Sequence, residues 1–225
     1  MNVVFLFDVD NTLLDNDRIA DDLRAHLDEE VGLDCGLQYW QIFEELRAEL
    51  GYADYLGTLQ RYRQLRPHDL RVLAVSHYLV SYPFADRLYE GSFDTLDHCA
   101  TMGSTAILSD GDVVFQPHKI TRAGLHDAVR GRVLIYIHKE LELDDIARRY
   151  PAEHYVLIDD KLRILAAVKK AWGPRLTTVF PRQGRYAHAP DVSSYPAPDL
   201  SVDRIAQLVD FNLAGLLEAG RQSYP

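Results

Sequence analysis

Lysine is missing from the first half of this 225-residue chain. The first is Lys119, and Lys139, Lys161, Lys169 and Lys170 follow it. Any mechanism that needs an earlier lysine is excluded. Cysteine is also scarce. Cys35 and Cys99 form no CxxC pair and read as ordinary thiols of a reducing compartment. No apolar run approaches 18 residues, so no membrane span is expected. The N-terminus lacks a basic segment and its apolar run is short, which argues against a signal peptide. A soluble, cytoplasmic protein, monomer or homodimer, is the expectation. Positive charge is in short supply overall, with a formal net charge of -10. Nucleic acid and anionic membrane are therefore poor partners, since each needs a basic surface. Any anion site must be built locally, from a metal and a few positive groups.

Hydrophobic residues make up 47% of the chain, enough for a core. The most informative stretch is residues 3–15. Five apolar residues run without alternation into Asp8-Val9-Asp10-Asn11-Thr12. Such a run reads as a strand buried on both faces, with Asn11 breaking it. Asp8 and Asp10 then stand at the carboxyl end of a parallel strand, where open α/β sheets place ligands. Two carboxylates at a buried tip repel each other unless a cation or a shared proton lies between them.

Helical spacing follows. Ile19, Leu23 and Leu27 recur within residues 16–31, and Gly32 and Gly36 mark a break. Further helices are expected over residues 37–50, 53–65 (interrupted by Gly57) and 68–80, the last opened by Pro67. Residues 16–81 thus read as an all-helical insertion after the first strand, with residues 1–15 and 82–225 as the core. Past a linker at 81–83, helices are expected at 92–101, 119–129, 141–150, 162–172 and 202–217. They alternate with strands at 105–109, 132–137, 155–158 and 176–180, and residues 187–199 read as loop. That alternation predicts a Rossmann-like parallel sheet with helices on its faces. Four buried strands end in polar residues: Asp8/Asp10, Ser109-Asp110, His138-Lys139 and Asp159-Asp160. If these tips converge, carboxylate oxygens suit Mg²⁺. Ser109, the adjacent Asp110 backbone and Lys139 suit a phosphoryl group. An aspartate can act as nucleophile through an aspartyl-phosphate, and a second can move the protons.

These residues resemble the haloacid dehalogenase superfamily along the whole chain. Asp8-Val9-Asp10-Asn11-Thr12 matches its DxDxT motif and Ile107-Leu108-Ser109 its second motif. Lys139 takes the place of the third, and Val156-Leu157-Ile158-Asp159-Asp160 matches the fourth. Residues 16–81 stand where the family carries a helical C1 cap. The resemblance implies Asp8 as nucleophile, Asp10 as general acid/base, and Ser109 and Lys139 as phosphate ligands. It implies Mg²⁺ held by the Asp8 carboxylate, the Asp10 main-chain carbonyl and Asp160, with Asp159 in close support. Two places depart from the pattern. His138-Lys139-Glu140 stands where Lys-Pro is common, with Lys119 as a rival lysine. Ile164 stands where a further acid or amide is common, which implies weaker Mg²⁺ binding. The expected reaction is Mg²⁺-dependent hydrolysis of a small phosphorylated metabolite. An intact Asp10 favours this over dehalogenation, because a halide leaves without a proton. A phosphosugar mutase and a non-catalytic regulatory relative stay open. Schiff-base phosphonate cleavage does not, since the insertion has no lysine.

Overall fold

The computed structural model describes residues 1–222. Five parallel strand pairings build one six-stranded sheet in the order β3-β2-β1-β4-β5-β6. The strands are β1 (Val3–Phe7), β2 (Ser104–Asp110), β3 (Val133–Tyr136), β4 (His154–Ile158), β5 (Leu176–Pro181) and β6 (Leu200–Val202). Every residue of β1, β4 and β5 is buried, as a sheet covered on both faces requires, including the polar His154, Thr177 and Thr178. The order reverses at β1, which pairs with β2 on one side and β4 on the other. Such a reversal opens a crevice at the carboxyl ends of the strands. The motif strands therefore lie beside one another, β2, β1 and β4 inside the sheet and β3 at its edge, where only Leu134 of the strand is buried rather than the whole strand as expected.

Between β1 and β2 the chain forms helices α1 (Asn16–His26), α2 (Leu33–Leu50), α3 (Tyr55–Leu65), α4 (Val72–Ser81) and α5 (Ser92–Met102). A π-helical turn, Leu27–Val31, extends α1. Gly36 is no break: it lies inside α2, where a Cβ would meet Asp28 Oδ1 at 3.0 Å and Leu27 Cβ at 3.4 Å. The glycine lets α2 press against the turn before it. Gly57 does not interrupt α3 either. The Asp54 side chain caps that helix by accepting the Gly57 N–H at 2.6 Å, and a Cβ on residue 57 would strike that carboxylate. Pro67 lies in a turn, and the fourth helix starts only at Val72.

The core departs from expectation in two places. The single helix expected over 119–129 is two, α6 (Phe115–Arg122) and α7 (Leu125–Ala128), parted by Gly124 at φ +79. The helix expected over 202–217 is instead strand β6, a 3₁₀ turn (Ile205–Asp210) and α11 (Leu213–Gln222). Helices α8 (Leu143–Arg149), α9 (Leu162–Trp172) and the short α10 (Gly184–Ala187) complete the set.

The two connections to the α1–α4 segment run side by side. Leu14 bridges Leu88, the Asp15 N–H donates to the Arg87 carbonyl at 2.8 Å, and the Tyr89 N–H to that of Leu13 at 2.9 Å. Above this junction Asp22 accepts hydrogen bonds from the Tyr82 hydroxyl at 2.5 Å and from Arg87 Nε and Nη2 at 2.9 and 2.8 Å. Burial works against the Asp22 charge, but Tyr82 and Arg87 outweigh it and hold the carboxyl below its usual value. This contribution to stability is present above the ordinary carboxylate value of 3.8. It declines as the pH falls below that value and is gone below the depressed native one. Asp22→Asn should therefore lower Tm at pH 7 by roughly 2–8 °C, from about 1–2 kcal/mol of charged hydrogen bonding. Thermal scans of both proteins should show that difference shrinking as the pH is taken below 4, on the order of the carboxylate pKa.

Candidate active site

The motif residues meet at the reversal point of the sheet. Asp8 follows β1 directly, and its N–H donates to the Ile158 carbonyl of β4 at 2.9 Å. The next residues turn sharply: Thr12, Leu13 and Leu14 all donate to the Val9 carbonyl. Asn11 takes a left-handed φ of 61, which asparagine tolerates better than most residues. It exchanges hydrogen bonds with Asp17 at the start of α1, at 3.1 Å in each direction. Thr12 Oγ1 accepts the Asp160 N–H at 3.1 Å, and Gln183 Nε2 donates to the Thr12 carbonyl at 3.1 Å. The turn thus ties β1 to the ends of β4 and β5.

Asp8, Asp159 and Asp160 form one buried group, each offering an oxygen within 4.8 Å of the others. Lys139 enters it from a 3₁₀ turn (Lys139–Leu141) after β3. Its ammonium donates to Asp8 Oδ1 at 2.5 Å, lies 2.7 Å from Asp159 Oδ2 and reaches the Leu108 carbonyl at 3.2 Å. Burial opposes the lysine charge, but Asp159, Asp8 and Asp110 more than offset it, so its pKa lies above that of an ordinary lysine. Asp160 is the uncompensated member. Both its carboxylate oxygens are buried without a hydrogen-bond partner. Burial, then the Asp159 and Asp8 charges, hold its pKa well above the carboxylate range. Ile164, where a further ligand might have stood, packs in the apolar core instead.

Asp10 lies elsewhere. Its carboxylate is one-quarter exposed and faces the cleft. Lys119 of α6 donates to its Oδ1 at 2.5 Å and to Asn16 Oδ1 at 3.2 Å, and Gln116 Nε2 approaches its Oδ2 at 3.4 Å. The Asp10 side chain is thus outside the acid group. The two candidate lysines divide between the two aspartates, Lys139 on Asp8 and Lys119 on Asp10. Ser109 is buried at the end of β2, with its hydroxyl accepting from Gln116 at 2.9 Å. The Asp110 carboxylate accepts the Lys139 N–H at 2.7 Å, so this side chain sets the position of the lysine turn. Gln116, Asn16 and Lys161 also belong to the site, although no motif singles them out. A cleft of about 280 Å³ opens above, between the α1–α3 segment and the strand ends.

The model of the haloacid dehalogenase-like hydrolases matches residues 3–171. The chain belongs to this family of hydrolases. A Burkholderia xenovorans LB400 protein described as a haloacid dehalogenase-like hydrolase is 62% identical, with a TM-score of 0.90 over 94% of this chain and 99% of that one. More distant structures share the fold. One is the magnesium-bound HAD hydrolase YfnB of Bacillus subtilis, at 17% identity and TM-score 0.60, covering 93% of this chain and 97% of that one. Another is the Xanthobacter autotrophicus L-2-haloacid dehalogenase with covalently bound chloropropionic acid, at 19% and 0.59, covering 93% and 98%. No curated protein matches the chain.

The donors suit a metal. Three hard carboxylates converge, one with both oxygens orphaned, and a hard divalent cation would satisfy them. Asp160→Asn should therefore stabilise the metal-free protein and abolish any rise in Tm on adding millimolar Mg²⁺. Lys139→Met should destabilise it by roughly 3 kcal/mol or more, because buried carboxylates lose their cation. Thermal unfolding of each variant with and without Mg²⁺ checks both.

Proposed function

We propose that this hydrolase cleaves small phosphate monoesters through an aspartyl-phosphate on Asp8, with Mg²⁺ as cofactor. The observation that carries the reading is the orphaned Asp160 carboxylate beside Asp8 and Asp159. A site that only displaced halide would have no use for a third buried acid in want of a cation. Asp8, Asp160 and the Asp10 main-chain carbonyl would hold the Mg²⁺, with Asp159 in support. When bound, the metal neutralises phosphoryl oxygens and offsets the Asp8 charge as a phosphate dianion approaches.

The remaining steps belong to the chain. An Asp8 oxygen attacks phosphorus and the ester oxygen leaves. Lys139, fixed within 2.5 Å of Asp8, stays beside the transferred group and offsets its charge. The buried Ser109 hydroxyl and the backbone beside Asp110 hydrogen-bond the phosphoryl oxygens. Asp10 gives its proton to the leaving oxygen, then takes one from the water that attacks the acyl phosphate. Lys119 and Gln116 hold Asp10 at the cleft wall for both roles. Helices α1–α4 act as a C1-type cap, moving about the paired connections at Leu14 and Leu88 to exclude water and release product.

Wild type should release phosphate from a generic aryl phosphate only with Mg²⁺ present, and Asp8→Asn should release none. Asp10→Asn should lose roughly 10²–10⁴-fold in kcat, the usual share of general acid/base catalysis. Halide release from L-2-chloropropionate, with no phosphate release from any ester, would instead establish a dehalogenase.

A further inference from the structure

The cleft above Asp10 is positively charged, in a protein whose net charge is -10. Three cations surround one ring, that of Tyr186 on α10. Lys161 Nζ lies 5.0 Å from its centroid, Arg185 5.2 Å and Arg47 5.8 Å. Arg47 comes from α2, 139 residues away, and donates to the Tyr186 hydroxyl at 2.5 Å. The carboxylates nearby only partly balance these charges. Arg47 meets Glu44 at 3.4 Å, but that glutamate is 62% exposed and the pair is one of the weak surface kind. Arg185 meets Asp17 at 3.3 Å. Among the described residues no carboxylate lies within ion-pair distance of Lys161; its neighbour in the cleft is the Tyr186 ring, and burial of its charge is offset by Asp8, Asp160 and Asp159 of the acid group.

Like charges converging on one point call for a counter-ion, as the carboxylates do at the floor. Lys119 is already engaged by Asp10, and Arg163 by Glu140 at 2.5 Å. Arg47 and Arg185 are held only by their longer contacts with Glu44 and Asp17, and with Lys161 they face the cleft. Lys161 directly follows Asp160, so this cationic corner adjoins the acid group. A planar guanidinium from α2 and one from α10 are suited to grip the oxygens of a carboxylate or a phosphate.

We propose that Arg47, Lys161, Arg185 and the Tyr186 hydroxyl form a second anion subsite, and that the substrate is a small phosphate ester whose leaving group carries a further carboxylate or phosphate. This rests on the phosphatase reading and names its substrate class. An anion held there joins α2 to the core, so binding the correct leaving group also closes the cleft. A neutral leaving group leaves the three cations facing one another.

Glycerol 3-phosphate and 3-phosphoglycerate differ by a hydroxymethyl against a carboxylate, and glycerol 1,3-bisphosphate adds a phosphate instead. Wild type should show a kcat/KM at least tenfold higher for one or both of the doubly anionic esters, and which one leads distinguishes carboxylate from phosphate. Arg47→Gln and Arg185→Gln should each shrink that ratio severalfold, mainly through KM, with Tm close to wild type. Equal or better turnover of glycerol 3-phosphate, or an unchanged ratio in both variants, would overturn the subsite. If wild type hydrolyses none of the three and no generic aryl phosphate either, the phosphatase reading fails; in either case of inactivity on the three, calorimetry on the Asp8→Asn protein decides the subsite alone. Binding of 3-phosphoglycerate weakened at least tenfold by adding Arg47→Gln supports it; no binding, or binding unchanged by that substitution, refutes it.

Discussion

One buried ammonium makes this active site possible. Asp8 and Asp159 both lie against Lys139, whose charge offsets the repulsion of two buried carboxylates, while Asp160 beside them is left uncompensated. The lysine in turn needs exact placement, because it is fully buried and its head must meet two carboxylates at once. Three contacts provide it. The Leu108 carbonyl of β2 accepts one ammonium hydrogen, Asp110 accepts the Lys139 backbone N–H, and the 3₁₀ turn after β3 brings the residue inward. Strands β1, β2, β3 and β4 therefore all converge on a single charge. Their parallel registers are as much a condition of the chemistry as the side chains themselves.

The two aspartates of the first motif differ because the strand ends between them. Asp8 is still fixed by β4 through its N–H and points into the floor. From Val9 onward the chain winds into a turn that sends Asp10 toward α6, where Lys119 and Gln116 meet it. A strict strand alternation would have aimed both carboxylates at the same partners. The turn instead gives each its own lysine and its own exposure, a division that suits the proposed roles of Asp8 as nucleophile and Asp10 as proton carrier.

How much of this was legible in the sequence follows from how local each signal is. The strand tips were legible because a central strand buried on both faces has no reason to end in acid, hydroxyl or ammonium groups. Asp8, Ser109, Asp159 and Asp160 lie at the ends of such strands; Lys139 reaches the same place from a 3₁₀ turn after β3, an outer strand of which only Leu134 is buried, so that part of the reasoning did not hold. The helix boundaries were less so. Gly36 and Gly57 look like breaks, yet each is the residue that lets a neighbour or a capping carboxylate come close. Strand β6 is three residues long and its flanking sequence keeps helical spacing, so periodicity had nothing to detect. Gln116 is a lone neutral amide on a helix, and it earns meaning only from Asp10 and Ser109 on either side of it. Arg47 and Tyr186 are brought together by the fold alone, with no pattern in the chain linking them.

The charge distribution shows how so acidic a protein can carry a cationic cleft, as the proposed action on phosphate esters requires. At physiological salt, fields beyond about 8 Å are strongly screened, so the net charge of the surface reaches little further than that. What a bound anion meets is the local set, where five cations, Arg47, Lys119, Lys161, Arg163 and Arg185, line the cleft and Lys139 lies beneath it. An acidic exterior does not steer an anionic substrate such as the proposed phosphate ester. Recognition must then come from short-range, directional contacts inside the cleft. Those contacts are shared between α2, α6, α9 and α10, so they are complete only when the helical segment and the strand ends face each other across the ligand.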